Sequence, residues 1–125
     1  MTLSVEAKDE LLALIASRSV TVGLFERDDD DGELVDPRYE RLPVAFTAPE
    51  TAGSGGVDGG GDLRFIENDV ELRYSDMGRD HQVVAWGLFD AAGALVGRYP
   101  LLEPRELPAE DNAVFRRGSL RIGIP

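Results

Sequence analysis

Cysteine is absent from this 125-residue chain. That excludes a disulfide scaffold, a thiolate zinc site and a thiol nucleophile, and it leaves the redox compartment open. Histidine occurs once, at His81, so no metal centre built on several imidazoles can form within one chain. Lysine also occurs once, at Lys8; Lys plus Arg number 13 against 24 Asp plus Glu, a formal net charge of -11. A surface this negative repels phosphate backbones, so no direct nucleic-acid contact is expected. No apolar run approaches the about 20 residues of a membrane span. The N-terminus has no basic stretch followed by an apolar one, so neither a membrane anchor nor a signal peptide is expected.

What is present is a core. Hydrophobic residues make up 42% of the chain, enough for one domain, 1–125, without metal or disulfide support. The strongest strand is Gln82-Val83-Val84-Ala85-Trp86-Gly87-Leu88-Phe89-Asp90. Val84, Trp86 and Leu88 are apolar on one parity, Val83, Ala85 and Phe89 on the other. A strand covered on both faces belongs in the middle of a sheet. Asp90-Ala91-Ala92-Gly93 then reads as a tight reversal, with Gly93 free to take positive φ. Ala94 to Tyr99 is the partner strand. Trp86 is read as a core anchor rather than a sugar-stacking platform.

Ser4 is a plausible N-cap for a short amphipathic helix at about residues 4–17, with Val5, Leu11, Leu12, Ile15 and Ala16 on one side. Glu6, Lys8, Asp9 and Glu10 fall on the other. Val20-Thr21-Val22-Gly23-Leu24-Phe25 is the first strand. The next stretch, from Glu26 to Glu33, is the most charged. If Gly32 took the glycine position of an EF-hand loop, Arg27 would stand where the first Asp belongs and Arg38 where the bidentate Glu is required, so the pattern fails. A solvated loop is expected. Tyr39 to Phe46 alternates, and Pro43 places that strand at an edge or bulge. Ala48-Pro49 to Gly61, poor in apolar residues and rich in glycine over 53–61, reads as a surface loop; with no helix carrying Lys or Ser/Thr behind it, it lacks the features of a phosphate cradle. Short strands follow at 63–66, 70–74, 113–115 and 119–124, while 101–107, with Pro104, reads as extended and irregular. Many short strands and one helix imply an all-β fold, an antiparallel sandwich or jelly-roll-like barrel over about 20–125.

No catalytic constellation emerges. His81, beside Asp80 at a strand start, reads as a loop residue rather than a general base, and no cofactor is implied. Leu3 and Leu14 near the helix, and Leu101, Leu102 and Leu107 in the proline-containing segment, are expected to be incompletely buried in a monomer. They make up the candidate assembly surface.

In order along the chain, the helix, Val20-Thr21-Val22-Gly23-Leu24-Phe25, the variable acidic loop, Tyr39-Glu40-Arg41-Leu42-Pro43-Val44-Ala45-Phe46 and Val83-Val84-Ala85-Trp86-Gly87-Leu88-Phe89-Asp90-Ala91-Ala92-Gly93 resemble a family of small tailed-phage virion proteins. Tyr99-Pro100-Leu101 and the turn Pro108-Ala109-Glu110-Asp111-Asn112 continue the likeness. Family members are described as tail-fibre, minor tail or head-decoration proteins. Two features depart from the pattern: Ala85 stands where the family often has His, and residues 63–80 are longer and more charged. The resemblance implies a non-enzymatic virion component, assembled in the host cytoplasm as a homo-oligomer in contact with capsid or tail proteins. A carbohydrate- or receptor-binding module is the alternative.

The reading of residues 28–31 as an exposed loop without an obligatory metal has a direct check. EDTA is expected to leave the melting temperature unchanged, because a cation bound only to the folded state would stabilise it by mass action. A clear fall on chelation in a thermal scan would overturn the reading.

Overall fold

The computed structural model describes residues 3–51, 64–75 and 77–124; the glycine-rich residues 53–61 lie outside them. In chain order the elements are α1 (Val5–Ala16), β1 (Val20–Phe25), β2 (Leu42–Val44), β3 (Glu50–Thr51), β4 (Arg64–Glu67), β5 (Leu72–Ser75), β6 (His81–Phe89), β7 (Leu95–Leu107), β8 (Asn112–Phe115) and β9 (Arg121–Ile124). Every strand pairing among them is antiparallel. The all-β class with one short N-terminal helix is therefore what the chain adopts, and it fits the expected sandwich. The chain divides into two compact units: Met1–Arg18, Ala45–Val70 and Arg116–Pro125 form one, and Ser19–Val44 with Glu71–Phe115 the other.

The larger unit holds a four-stranded sheet in the order β2-β1-β6-β7 and a two-stranded ribbon of β5 and β8. β6 is interior, as its two apolar parities require, and Trp86 and Phe89 are both buried. Trp86 lies opposite Leu24 and Tyr99, with the Trp86 and Tyr99 ring centroids 4.7 Å apart. Phe89 belongs to a separate cluster with Phe25 and Ala85, in which the Phe25 and Phe89 rings stack at 6.1 Å. The reversal after β6 is built as its residues suggest. Asp90 Oδ1 accepts from the amides of Ala92 and Ala94, each at 2.9 Å, and Gly93 has φ +85°.

Prolines mark both edges of this sheet. Pro43 lies in β2, as expected of an edge strand. Residues 101–107, expected to be irregular, instead continue β7 to a length of 13 residues, because an edge strand tolerates Pro100 and Pro104 where a central one would lose ladder bonds. The irregularity that does occur is a bulge. Val83 pairs with Arg105 and Ala85 with Pro100, so Val84 alone stands opposite residues 101–104.

In the smaller unit α1 packs against β4 and β9, and the sheet order is β3-β4-β9. Ser4 caps the helix, its hydroxyl accepting from the Ala7 amide at 3.1 Å. The buried side is the expected one at Leu12, with Ile15 and Ala16 half-buried, but Leu11 and Val5, placed on that side, are exposed, and Lys8, placed on the polar side, is buried. Asp9 ties the helix to the sheet, its carboxylate taking a two-pronged bond from Arg64 of β4 at 2.7 and 2.8 Å. β3, within a stretch expected to be loop, pairs with β4. The chain between β4 and β9 is pinned by buried Asn68. Its Nδ2 donates to the carbonyls of Val70 and Arg116, both at 2.9 Å, and its Oδ1 accepts from the Leu120 amide at 2.9 Å.

Truncating Trp86 to Ala is expected to cost about 3–5 kcal/mol, the range for removing a large buried aromatic. Urea denaturation measures it, and a curve superimposable on the parent's would contradict the interior position of β6.

Candidate functional site

The segment between β1 and β2, residues 26–41, gathers the chain's densest charge. Its first half folds back on β1. The Glu26 amide donates to the Gly32 carbonyl at 2.9 Å, Glu33 bridges Phe25, and the Leu34 amide donates to the Leu24 carbonyl at 2.9 Å. The reversal buries Leu34 and leaves residues 27–31 exposed. The exposed acids do not simply repel one another. Arg98 of β7 donates to Asp28 at 2.8 Å and also pairs with Asp30.

Glu33 is the centre of a second arrangement. Arg41 grips its carboxylate through Nε at 2.9 Å and Nη2 at 2.8 Å, and the Tyr39 hydroxyl donates to it at 2.6 Å. The same hydroxyl accepts from the Leu24 amide at 3.0 Å, and the Arg41 guanidinium lies 3.5 Å above the Phe89 ring centre. Gly23 makes room for this. A Cβ there would stand 2.7 Å from both the Phe89 ring and the Tyr39 hydroxyl, and 2.8 Å from Glu33. Burial alone would raise the Glu33 pKa, but the hydrogen bonds from Arg41 and Tyr39 outweigh it and hold the carboxyl below its ordinary value. Burial, reinforced by Glu33, pushes the Tyr39 hydroxyl upward.

The third arrangement involves His81, which the sequence suggests is a loop residue. It is instead the first residue of β6, with a fully buried side chain. Its Nδ1 meets Glu26 Oε1, and its Nε2 lies 2.8 Å from Asp36 Oδ2. A carboxylate only accepts, so the ring satisfies both partners when both nitrogens carry protons. Asp36 also accepts from the amides of Arg38 at 3.0 Å and Gly78 at 2.9 Å. The His81 bond, followed by those two amide bonds, holds the Asp36 carboxyl far below its usual range. The loop expectation fails because the partners come from 45 and 55 residues away, which no local pattern announces. A usable signal is the combination itself: a lone histidine opening a two-sided apolar strand, in a chain with excess carboxylates, needs an acidic partner to be buried.

Chemically, this cluster clamps residues 26–41 onto β6. A general base needs an accessible lone pair near a substrate proton, whereas both His81 nitrogens are engaged and its ring has no exposed surface. The hollow beside it, bounded by Glu26, Asp31, Glu33, Val35 and Arg79, has a volume of about 170 Å³, below the roughly 300–1,000 Å³ of ligand pockets. Among the described residues no group of three or more His, Asp or Glu is arranged to hold a metal ion.

The candidate assembly residues divide between the two units. Leu3 and Leu14 belong to the smaller one, where Leu3 is half-buried and Leu14 is 52% exposed. Leu101 and Leu102 share the β7 bulge; Leu101 is half-buried and Leu102 fully exposed. Leu107 is a correction. It is fully buried, because β7 runs on to it and sets it opposite His81 within the sheet. Leu11, assigned to the inward side of the helix, is exposed one turn from Leu14 on α1, and Val5, also assigned there, is exposed in the helix's first turn. No protein-family model matches the chain, and no curated protein sequence is similar to it.

Asp36 gives the site a measurable pH dependence. Its folded pKa lies below its unfolded value of about 3.9, so its stabilising contribution is complete above that value and is lost as pH falls through it. Asp36→Asn, followed by urea denaturation from pH 6 to pH 2.5, is expected to be less stable than the parent at neutral pH and to lose less on acidification. Parallel curves for parent and variant would contradict the assignment.

Proposed function

We propose that this protein is a non-enzymatic structural component of a tailed-virus particle, built into the head or tail by protein–protein contacts. The observation that carries the reading is the display of aliphatic side chains on regular elements: Leu102 on an edge strand, and Leu11 and Leu14 on a helix. Scattered exposed leucines are ordinary on a monomer, but leucines one turn apart on a helix and a fully exposed one on a bulge offer aliphatic surface whose burial against a partner is favourable. The charged groups near β1 and β6 support the same reading, since they are spent on one another rather than turned toward a substrate. Capsid or tail proteins are the partners, the assembled virion is the location, and self-association has the closed cyclic symmetry of a ring or trimer. Acidic loops keep free subunits apart until neighbours or salt screen them.

The alternative, a carbohydrate- or receptor-binding module, lacks a stacking platform. The chain has nine aromatic residues (five Phe, three Tyr, one Trp), all described, and none is exposed.

Nuclease-resistant particles banded on a density gradient from the source culture are expected to contain the chain at a fixed ratio to the major capsid or tail protein. Sedimentation velocity of the purified chain should show its mass rising in steps with salt, and Leu14→Asp should suppress the rise. A chain absent from banded particles and monomeric at every salt concentration would overturn the proposal.

A further inference from the structure

The free edge of β7 carries features that the sheet does not use. Opposite Val84, residues 101–104 bulge away from the ladder, and Leu102 on that bulge is fully exposed. Pro100 and Pro104 bracket it, and each fixes its own φ near -65°. Leu102 is thus held out on a stiffened turn, so little conformational entropy is lost when a partner covers it.

Along the sequence flanking Leu102 the exposed charge has one sign. From Pro100 to Asn112 every exposed charged side chain is acidic: Glu103, Glu106, Glu110 and Asp111. The one arginine there, Arg105, is half-buried and lies over the Phe115 ring, 4.6 Å from its centre. The combination discriminates among occupants. Two prolines remove amide donors from this edge, which opposes strand addition by any chain. A second copy would bring its own acidic strip against this one, within a subunit of net charge -11. An anionic lipid surface is repelled for the same reason.

From these features we infer that the β7 bulge is a docking site for a basic amphipathic segment of a different protein. The segment's apolar stripe covers Leu102, and its Lys or Arg side chains meet Glu103, Glu106, Glu110 and Asp111. The inference deepens the assembly reading by naming the chemistry of a heterologous partner, distinct from the contact between copies assigned to the helix. Particle banding tests the assembly reading and peptide mapping tests this face, so either can fail alone.

The probe is an 18-residue Leu/Lys peptide with helical amphipathic spacing, alongside a scrambled peptide of identical composition and a Leu/Glu counterpart. Titration into the isotope-labelled protein, followed by amide chemical shifts, is expected to move residues 101–106 most. Leu102→Ser should weaken binding about tenfold, a typical anchor effect. Its melting curve should match the parent's, since the side chain is fully exposed. Glu103→Gln with Glu106→Gln should reduce the salt dependence of binding even where Leu102→Ser proves difficult to prepare. The Leu/Glu peptide should not bind. Shifts centred on α1 or on residues 28–31, equal affinity for the scrambled peptide, or unchanged affinity of Leu102→Ser would each overturn the inference. So would a change in sedimentation mass of Leu102→Ser alone, which would make this edge a contact between copies.

Discussion

The larger unit depends on placing opposite charge beside acidic residues that would otherwise force the chain apart. Between Glu26 and Arg41 there are eight acidic residues, namely Glu26, Asp28, Asp29, Asp30, Asp31, Glu33, Asp36 and Glu40, against three arginines. Left to itself such a stretch would stay extended in water. It folds because groups on the sheet are shared between pairs of carboxylates: Arg98 takes Asp28 and Asp30, and the His81 ring lies between Glu26 and Asp36. Glu33 is matched by Arg41 from the segment itself. Removing one partner from a buried arrangement leaves a charge without compensation, and that cost exceeds the net gain the pair provides. The segment therefore has one low-energy path across β1 and β6.

That constraint explains what could and could not be read from residues alone. β1 and the Asp90 reversal are local events, written in β-branched residues, an Asp and a Gly within a few positions of one another, and they were legible. So was the interior place of β6, because two apolar parities allow no solvent face. His81 was not legible, since its partners lie far away in sequence and its neighbour Asp80 suggested solvent. Asn68 was missed for a related reason: between Glu67 and Asp69 it looks like a separator, yet it carries the bonds that tie residues 68–70 to 116–120. The helix is legible as a helix and, at Leu12, in its facing; the burial of Lys8 and the exposure of Leu11 are not. Nor does any local pattern announce the long-range ion pair of Asp9 with Arg64.

The prolines were read correctly in kind and only partly in consequence. Pro43 was taken as an edge marker, and β2 is an edge. Pro104, with Pro108 after it, points to an irregular segment, although the same physics permits a long edge strand when the missing amide belongs to the free side or to a bulge. Both edges of the four-stranded sheet therefore contain proline, and β2 adds the protection of being only three residues long. These are devices that oppose edge-to-edge pairing.

The consequence for assembly follows from that edge chemistry. A β protein that blocks its own edges cannot build partners by extending its sheet, so contacts must run through side chains. Side-chain contacts among copies of an acidic subunit are opposed by charge at low salt and gain strength only as apolar anchors are covered. Near the helix leucines in sequence the exposed charges are Glu6 and Glu10 with Arg18 just past the helix end, whereas from Pro100 to Asn112 every exposed charge is acidic. A contact between identical copies favours the first kind of surface, because mixed charge can complement itself across a symmetry axis. A surface of one sign is complementary only to a different molecule. In the assembly we propose, the helix would meet copies of this chain and the β7 bulge a different molecule, two contacts whose surfaces differ in charge pattern.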